Sequence, residues 1–157
     1  MKIQGIEPDT GNVFQADADR VDDSFVTSML NFELSEDEIN KIIGNLNISA
    51  DAKSLLYAFS KVTIKAGSFI IKIGRKIIDF IGLLYKEYPT TTFMVIFGAI
   101  AGFLISTIPI LGAVLGSLFT PIAIALGMIA GIKEDFKDKE LERKIAEINA
   151  KFTPLNA

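Results

Sequence analysis

Residues 88–132 read YPTTTFMVIFGAIAGFLISTIPILGAVLGSLFTPIAIALGMIAGI and contain no charged side chain. The run is bounded by Glu87 on one side and by Lys133 on the other. A straight helix of this length would measure about 67 Å, whereas the hydrocarbon core of a bilayer is about 30 Å thick. Two crossings fit this thickness better than one, so the run predicts a transmembrane helical hairpin over residues 89–132.

The bend of the predicted hairpin contains proline, glycine and hydroxyl side chains and no ion. Its expected residues are Ser106, Thr107, Pro109 and Gly112. Each Lys or Asp carried into the hydrocarbon would cost about 2.5–3.5 kcal/mol, so an uncharged bend favours insertion from one side. The alternative interpretation is a hairpin buried in an ordinary helical bundle.

Glycines recur four residues apart within the uncharged run. The three pairs are Gly98 and Gly102, Gly112 and Gly116, and Gly127 and Gly131. In lipid, this spacing lets helix backbones approach each other closely. Either the two arms of one chain pack together, or the arms of several chains do, and we expect a homo-oligomer.

A long basic amphipathic helix is predicted over residues 49–88, from about Ala50 to Tyr85. Apolar residues recur there at steps of three and four, which is helical spacing, and Pro89 ends the pattern. A basic stripe accompanies them: Lys61, Lys65, Lys72, Arg75 and Lys76. Such a stripe is typical of a helix lying on an anionic membrane surface. A solvated face and a contact with the acidic head described next are the alternatives.

Residues 1–48 form an acidic head, which we expect to be rich in loops and to contain one short helix. Ten of the first 40 residues are Asp or Glu, against only Lys2 and Arg20. The short helix should start after Ser35, because Ser35 and Glu38 have the spacing of a capping box. This head is a candidate binding surface for a protein partner.

Residues 133–157 hold equal numbers of acids and bases and predict a charged amphipathic helix over Glu134–Phe152. Basic residues therefore flank the uncharged run on both sides. Because cytoplasmic flanks of membrane helices are enriched in Lys and Arg, both termini are predicted on the cytoplasmic side of an integral membrane protein.

The composition argues against an enzyme. The chain has no Cys and no His, which removes thiol chemistry, the commonest general base and the commonest metal ligand. No nucleotide-binding or metalloprotease motif occurs. The acids Asp17, Asp19, Asp22 and Asp23 do not have the spacing of a calcium-binding EF-hand loop. We expect no catalytic residue, no metal and no cofactor, and the acidic balance also argues against nucleic-acid binding.

These patterns together predict an all-α membrane protein. We expect an oligomer that inserts its hairpin and forms a pore or channel or perturbs the membrane, a layout analogous to that of pore-forming bacterial toxins. Any water-filled lumen would need either residues of the long amphipathic helix or the hydroxyls of the hairpin, which belong to Ser106, Thr107, Ser117 and Thr120. The alternative is a structural anchor of a membrane-containing assembly, such as a virion or a secretion apparatus.

Overall fold

The computed structural model describes residues 1–126 and 138–157. The elements, in chain order, are β1 Lys2–Ile6, β2 Val13–Asp17, α1 Asp23–Leu30, α2 Glu36–Asn45, α3 Ala50–Ser60, β3 Ile64–Ala66, β4 Phe69–Ile71, α4 Ile73–Glu87, α5 Phe93–Phe97, a π-helical turn Gly98–Gly102, α6 Phe103–Thr107, α7 Pro109–Ala125, α8 Lys139–Lys151 and a 3₁₀ turn Thr153–Leu155. The predicted helical majority is confirmed. The prediction of an all-α chain is wrong, because four of these elements are strands.

The strands form one antiparallel sheet in the order β2-β1-β3-β4. On β1, Ile3 is buried and pairs with Ala16 on one side and Ala66 on the other. Gly5 faces α7 so closely that an added Cβ would lie 2.4 Å from the Val114 side chain. The residues expected to form a loop-rich head therefore include two strands and two helices, α1 and α2, and one face of the sheet covers the second arm of the hairpin.

The prediction of a single long helix over residues 49–88 is wrong. The helix ends at Ser60, and a second helix begins at Ile73, with the β3–β4 hairpin between them. β-branched residues precede and follow the tight turn of this hairpin, where Gly67 has a φ of 58°. The three-and-four spacing of apolar residues continues across the strands by coincidence, so it could not locate the break.

The local capping signal at Ser35 predicted the start of α2 correctly. Ser35 caps α2, and its side chain accepts from the Glu38 N–H while the Glu38 carboxylate accepts from the Ser35 N–H, as the capping-box spacing predicted. Ser49 caps α3 through the N–H of Ala52. The last helix begins at Lys139 behind its cap, Asp138. The predicted start of that helix at Glu134 lies outside the described residues.

The uncharged run forms a helical hairpin whose two arms pack against each other. The first arm is α5, the π-helical turn and α6; the second is α7, which begins at Pro109 and continues through Pro121. Its fully buried side chains include Ile96, Phe97, Ile100, Leu104, Ile110, Leu111, Val114 and Leu115. The helices α3, α4 and α8 and strand β1 pack on it, so the hairpin is the centre of the core.

Over the described residues, both arms are shorter than the hydrocarbon core of a bilayer, which is about 30 Å thick. The 15 residues of Phe93–Thr107 span about 22 Å and the 17 residues of α7 about 26 Å, at 1.5 Å per residue. The second arm was predicted to continue to Ile132; α7 instead ends at Ala125, and residues 127–132 lie outside the described residues. Among the described residues, the structure contains no helix that is both long enough and apolar enough to traverse a membrane.

The loop between α1 and α2 is fastened to α4 by two buried charged side chains. Asp79 is fully buried, and its two carboxylate oxygens accept from the N–H groups of Glu33 at 3.1 Å and Leu34 at 2.8 Å. Lys76, 5% exposed, donates to the carbonyl oxygen of Asn31 at 2.5 Å. Burial lowers the pKa of Lys76, and the charges of Asp79 and Glu33 oppose that effect.

The Asp79→Asn variant should be markedly less stable than the natural protein. An amide offers one acceptor oxygen where the carboxylate offers two, so one buried N–H of the loop would lose its partner. We expect the free energy of unfolding in urea to fall by about 2–4 kcal/mol. The exposed Asp19→Asn variant is the matched control and should change it by less than about 0.5 kcal/mol. Equal effects of the two substitutions would contradict the role assigned to Asp79.

Candidate functional site

Glycines in the hairpin hold its two arms together within one chain. A Cβ at Gly112 would lie 2.8 Å from the carbonyl oxygen of Ile105, and a Cβ at Gly102 would lie 3.3 Å from the ring of Phe119. Gly116 is less crowded, with its nearest neighbour, a methyl carbon of Ile105, at 3.9 Å. The intrachain alternative therefore accounts for Gly102 and Gly112.

The other predicted packing glycines are Gly98, Gly127 and Gly131. Gly98 begins the π-helical turn of the first arm. Gly127 and Gly131, the third predicted pair, lie outside the described residues, beyond the end of α7 at Ala125. The packing role predicted for Gly131 and its partner Gly127 is therefore not confirmed and stays a prediction.

Alanine substitutions at the two α7 glycines should have opposite effects on stability. At Gly112 the methyl group would overlap a backbone oxygen, and we expect a net loss of about 1–3 kcal/mol in the free energy of unfolding. At Gly116 the methyl group has room, so helix propensity should dominate and add up to about 1 kcal/mol. Urea denaturation of Gly112→Ala and Gly116→Ala measures both. A stable Gly112→Ala protein would show that the arms do not meet closely there.

The solvent-facing side of the hairpin carries no ionisable group between Pro89 and Leu126. Its exposed residues are Pro89, Thr90, Thr92, Phe103, Ser106, Thr107, Pro109, Thr120, Pro121, Ile124 and Ala125. Phe103 is 50% exposed and Ile124 is 72% exposed. Uncharged surfaces that include large apolar side chains commonly mark contacts with other proteins or with membranes. We call this set of residues the hairpin surface.

Three hydroxyl groups of the hairpin surface donate hydrogen bonds to their own helices. Ser106 Oγ and Thr107 Oγ1 both donate to the carbonyl oxygen of Phe103, at 2.9 and 2.8 Å. Thr120 Oγ1 donates to the carbonyl oxygen of Gly116 at 3.4 Å. Ser and Thr satisfy their donors in this way in lipid-facing helices. A water-poor environment would therefore leave none of these three donors without an acceptor.

The five predicted stripe residues do not form one stripe. Lys61 ends α3, Lys65 is exposed on β3, and Lys72 precedes α4. Lys76 is buried over the ring of Phe80, with Nζ 4.7 Å from the ring centroid. The stripe fails because the long helix that was to carry it is interrupted by the β3–β4 hairpin. Only those of the five residues that are exposed remain available for contact with a membrane surface.

The structure does bring three of these cations to one cleft, which we call the basic cleft. It has a volume of about 460 Å³ and is bordered by α2, the end of α3 and the start of α4. Its cationic lining residues are Lys61, Lys72 and Arg75. The uncharged polar lining residues are Asn40, Tyr57, Ser60 and Thr63, and Glu36 is its one carboxylate. Sequence reasoning noticed the charges but missed this grouping, which depends on the turn through β3 and β4.

The acidic residues of the head are arranged differently from a metal site. Asp22 caps α1, accepting from the Phe25 N–H at 2.8 Å, and the side chains of Asp17, Asp19 and Asp23 are exposed. The part of the chain that the structure describes contains no group of three or more His, Cys, Asp or Glu residues positioned to bind a metal ion.

Sequence reasoning also missed the buried pair on α4. The available signal was Asp79 itself, a single acid within the apolar stretch IIDFIG of residues 77–82. A carboxylate at the centre of such a stretch needs hydrogen-bond donors once the stretch is buried. The backbone of residues 33–34 supplies them.

No protein-family model, curated protein or solved structure matches this chain.

Proposed function

We propose that this protein is a non-enzymatic membrane-binding protein that contacts lipid through the hairpin surface and acts as an oligomer. The observation that supports the proposal best is the hairpin surface, where apolar and hydroxyl side chains are exposed and no charge occurs. Transfer of such a surface to the membrane interface removes Phe103 and Ile124 from water at no cost in buried charge.

Binding by the folded protein would be shallow. The sides of the hairpin that face the core are covered, and aromatic contacts hold them: Phe59 packs edge-on against Phe97 with ring centroids 5.4 Å apart, and Tyr85 against Phe93 at 5.8 Å. On the α8 side, Asn149 Nδ2 donates to the carbonyl oxygen of Ala99 at 3.4 Å. Deeper insertion requires α3, α4 and α8 to separate from the hairpin, which would exchange protein contacts for lipid contacts.

Two outcomes of membrane binding correspond to two functions. If the covering elements separate and several hairpins assemble, the protein forms a pore or perturbs the bilayer, and dye trapped in vesicles is released. If the hairpin surface only attaches, the protein is an anchor of a larger assembly, and dye is retained. Insertion is favoured by the uncharged bend around Pro109, which can enter hydrocarbon without carrying an ion.

A lysine on the hairpin surface should weaken lipid binding. In Thr107→Lys, the new charge lies at the bend, and complete transfer of a lysine into hydrocarbon costs about 2.5–3.5 kcal/mol. We expect partitioning onto phosphatidylcholine vesicles, which have no net charge, to fall by about tenfold, a part of that cost. Vesicle flotation measures it, and the neutral lipid prevents the added charge from attracting the protein to the membrane.

Thr27→Lys is the matched control, because Thr27 is an exposed threonine on α1, away from the hairpin. It should float with vesicles as the natural protein does. Circular dichroism of both variants checks that the fold persists. Equal binding by Thr107→Lys and the natural protein, or no flotation of the natural protein at all, would refute lipid contact through the hairpin surface.

A further inference from the structure

The basic cleft concentrates positive charge in a protein that is acidic overall. The chain has 16 bases against 19 acids, yet three bases and a single acid line this one depression. Within residues 1–126 and 138–157, no carboxylate forms an ion pair with Lys61, Lys72 or Arg75. By contrast, Lys86 and Lys144 both have carboxylate partners. Among the described residues, the lining of the cleft therefore has more positive than negative charge, with three cations and one carboxylate.

Arg75 is held in place by contacts on one side of its guanidinium group. Its Cζ lies 4.1 Å from the centroid of the Phe32 ring, and Nη2 donates to the carbonyl oxygen of Leu34 at 3.2 Å. The Nε atom is buried and has no hydrogen-bond partner in the described structure. The guanidinium of Arg75, which lines the cleft, is thus held in one orientation by Phe32 and Leu34.

The N-terminus of α4 adds to the positive electrostatic potential of the basic cleft. Four other helices begin with acidic residues in their first turns and are capped by side-chain oxygens. These are α1, α2, α3 and α8. The first turn of α4 instead contains Arg75 and Lys76 and no acid, and its cap Lys72 makes no side-chain capping bond. Cations at a helix N-terminus are unfavourable for stability. A ligand anion bound by Lys72 and Arg75 would relieve this repulsion.

We propose that the basic cleft binds a phosphate monoester attached to a small organic group. The three cations, one of which is the guanidinium of Arg75, suit the charge and the several acceptor oxygens of a phosphate. The volume of about 460 Å³ is in the range of small-molecule sites and exceeds the need of the phosphate group alone. Ile39 and the ring of Tyr57 offer an apolar wall for the organic group. Such a phosphate occurs both in soluble metabolites and in lipid headgroups.

The first experiment uses a soluble probe, glycerol 3-phosphate, which is titrated into the full chain at low salt. Calorimetry gives the affinity, and the ¹H–¹⁵N signal of Arg75 Nε reports occupancy at the site itself. Removing both lysines in Lys61→Met/Lys72→Met should weaken binding by about tenfold for each charge lost. Glu36→Gln should tighten it, because the substitution removes the one repelling carboxylate of the cleft.

Lys65→Met is the matched control, since Lys65 is exposed on β3 and does not line the cleft. It should bind glycerol 3-phosphate as the natural protein does. A loss in Lys65→Met as large as that in the double variant would show diffuse charge attraction and overturn the proposal. An Arg75 Nε signal that does not shift at millimolar probe would exclude a soluble ligand.

The second experiment distinguishes the two sources of the phosphate. Vesicles containing phosphatidic acid, a phosphate monoester, are compared with vesicles containing phosphatidylglycerol, a diester. If the protein prefers phosphatidic acid and loses that preference in Lys61→Met/Lys72→Met, the ligand is a headgroup; binding of the soluble probe without a preference between the lipids identifies a soluble ligand. Failure of both experiments overturns the proposal. Neutral vesicles test the hairpin surface separately, so the two proposals can fail independently.

Discussion

Burial of the uncharged hairpin against α3, α4, α8 and β1 is the contact on which the rest of the fold depends. Leu111, Val114 and Leu115 of the second arm are fully buried, as are Ile100 and Leu104 of the first. Burying a side chain of this size contributes about 1.5–3 kcal/mol. Because the hairpin has no charge with which to specify an orientation, its position is set by shape: Gly112 admits the backbone of Ile105, and Gly5 of the sheet admits Val114.

The polar side chains that hold the α1–α2 loop are concentrated on α4. Asp79 and Lys76 bind the backbone of the α1–α2 loop, and Arg75 binds its Leu34 carbonyl while stacking on Phe32. These bonds tie the acidic first part of the chain to the apolar second part. They also hold Arg75 at the edge of the basic cleft, so the contact that orders the loop simultaneously orients a candidate ligand-binding group.

Sequence reasoning succeeded where the determining contacts are local. The capping box at Ser35 involves residues three positions apart, and its helix was correctly located. It failed for the sheet, because β1 obtains a partner about 60 residues away in β3, and three-residue strands have too few positions to establish a period of two. The basic cleft was missed for the same reason: Lys61 and Lys72 meet only after the chain turns through β3 and β4. The length of the uncharged run predicted a hairpin. Length alone could not distinguish a hairpin surrounded by lipid from one packed among the chain's own helices.

Pro121 gives the second arm a mechanical property that its regular appearance conceals. Proline has no N–H, so it cannot donate to the carbonyl oxygen of Ser117, one turn earlier, and the arm is least braced at that point. The part of α7 that contains Gly112 is locked against the first arm. The last residues, including the exposed Ile124, lie beyond the unbraced turn. The seam between the arms at Gly112 therefore does not depend on the backbone hydrogen bond that Pro121 cannot make.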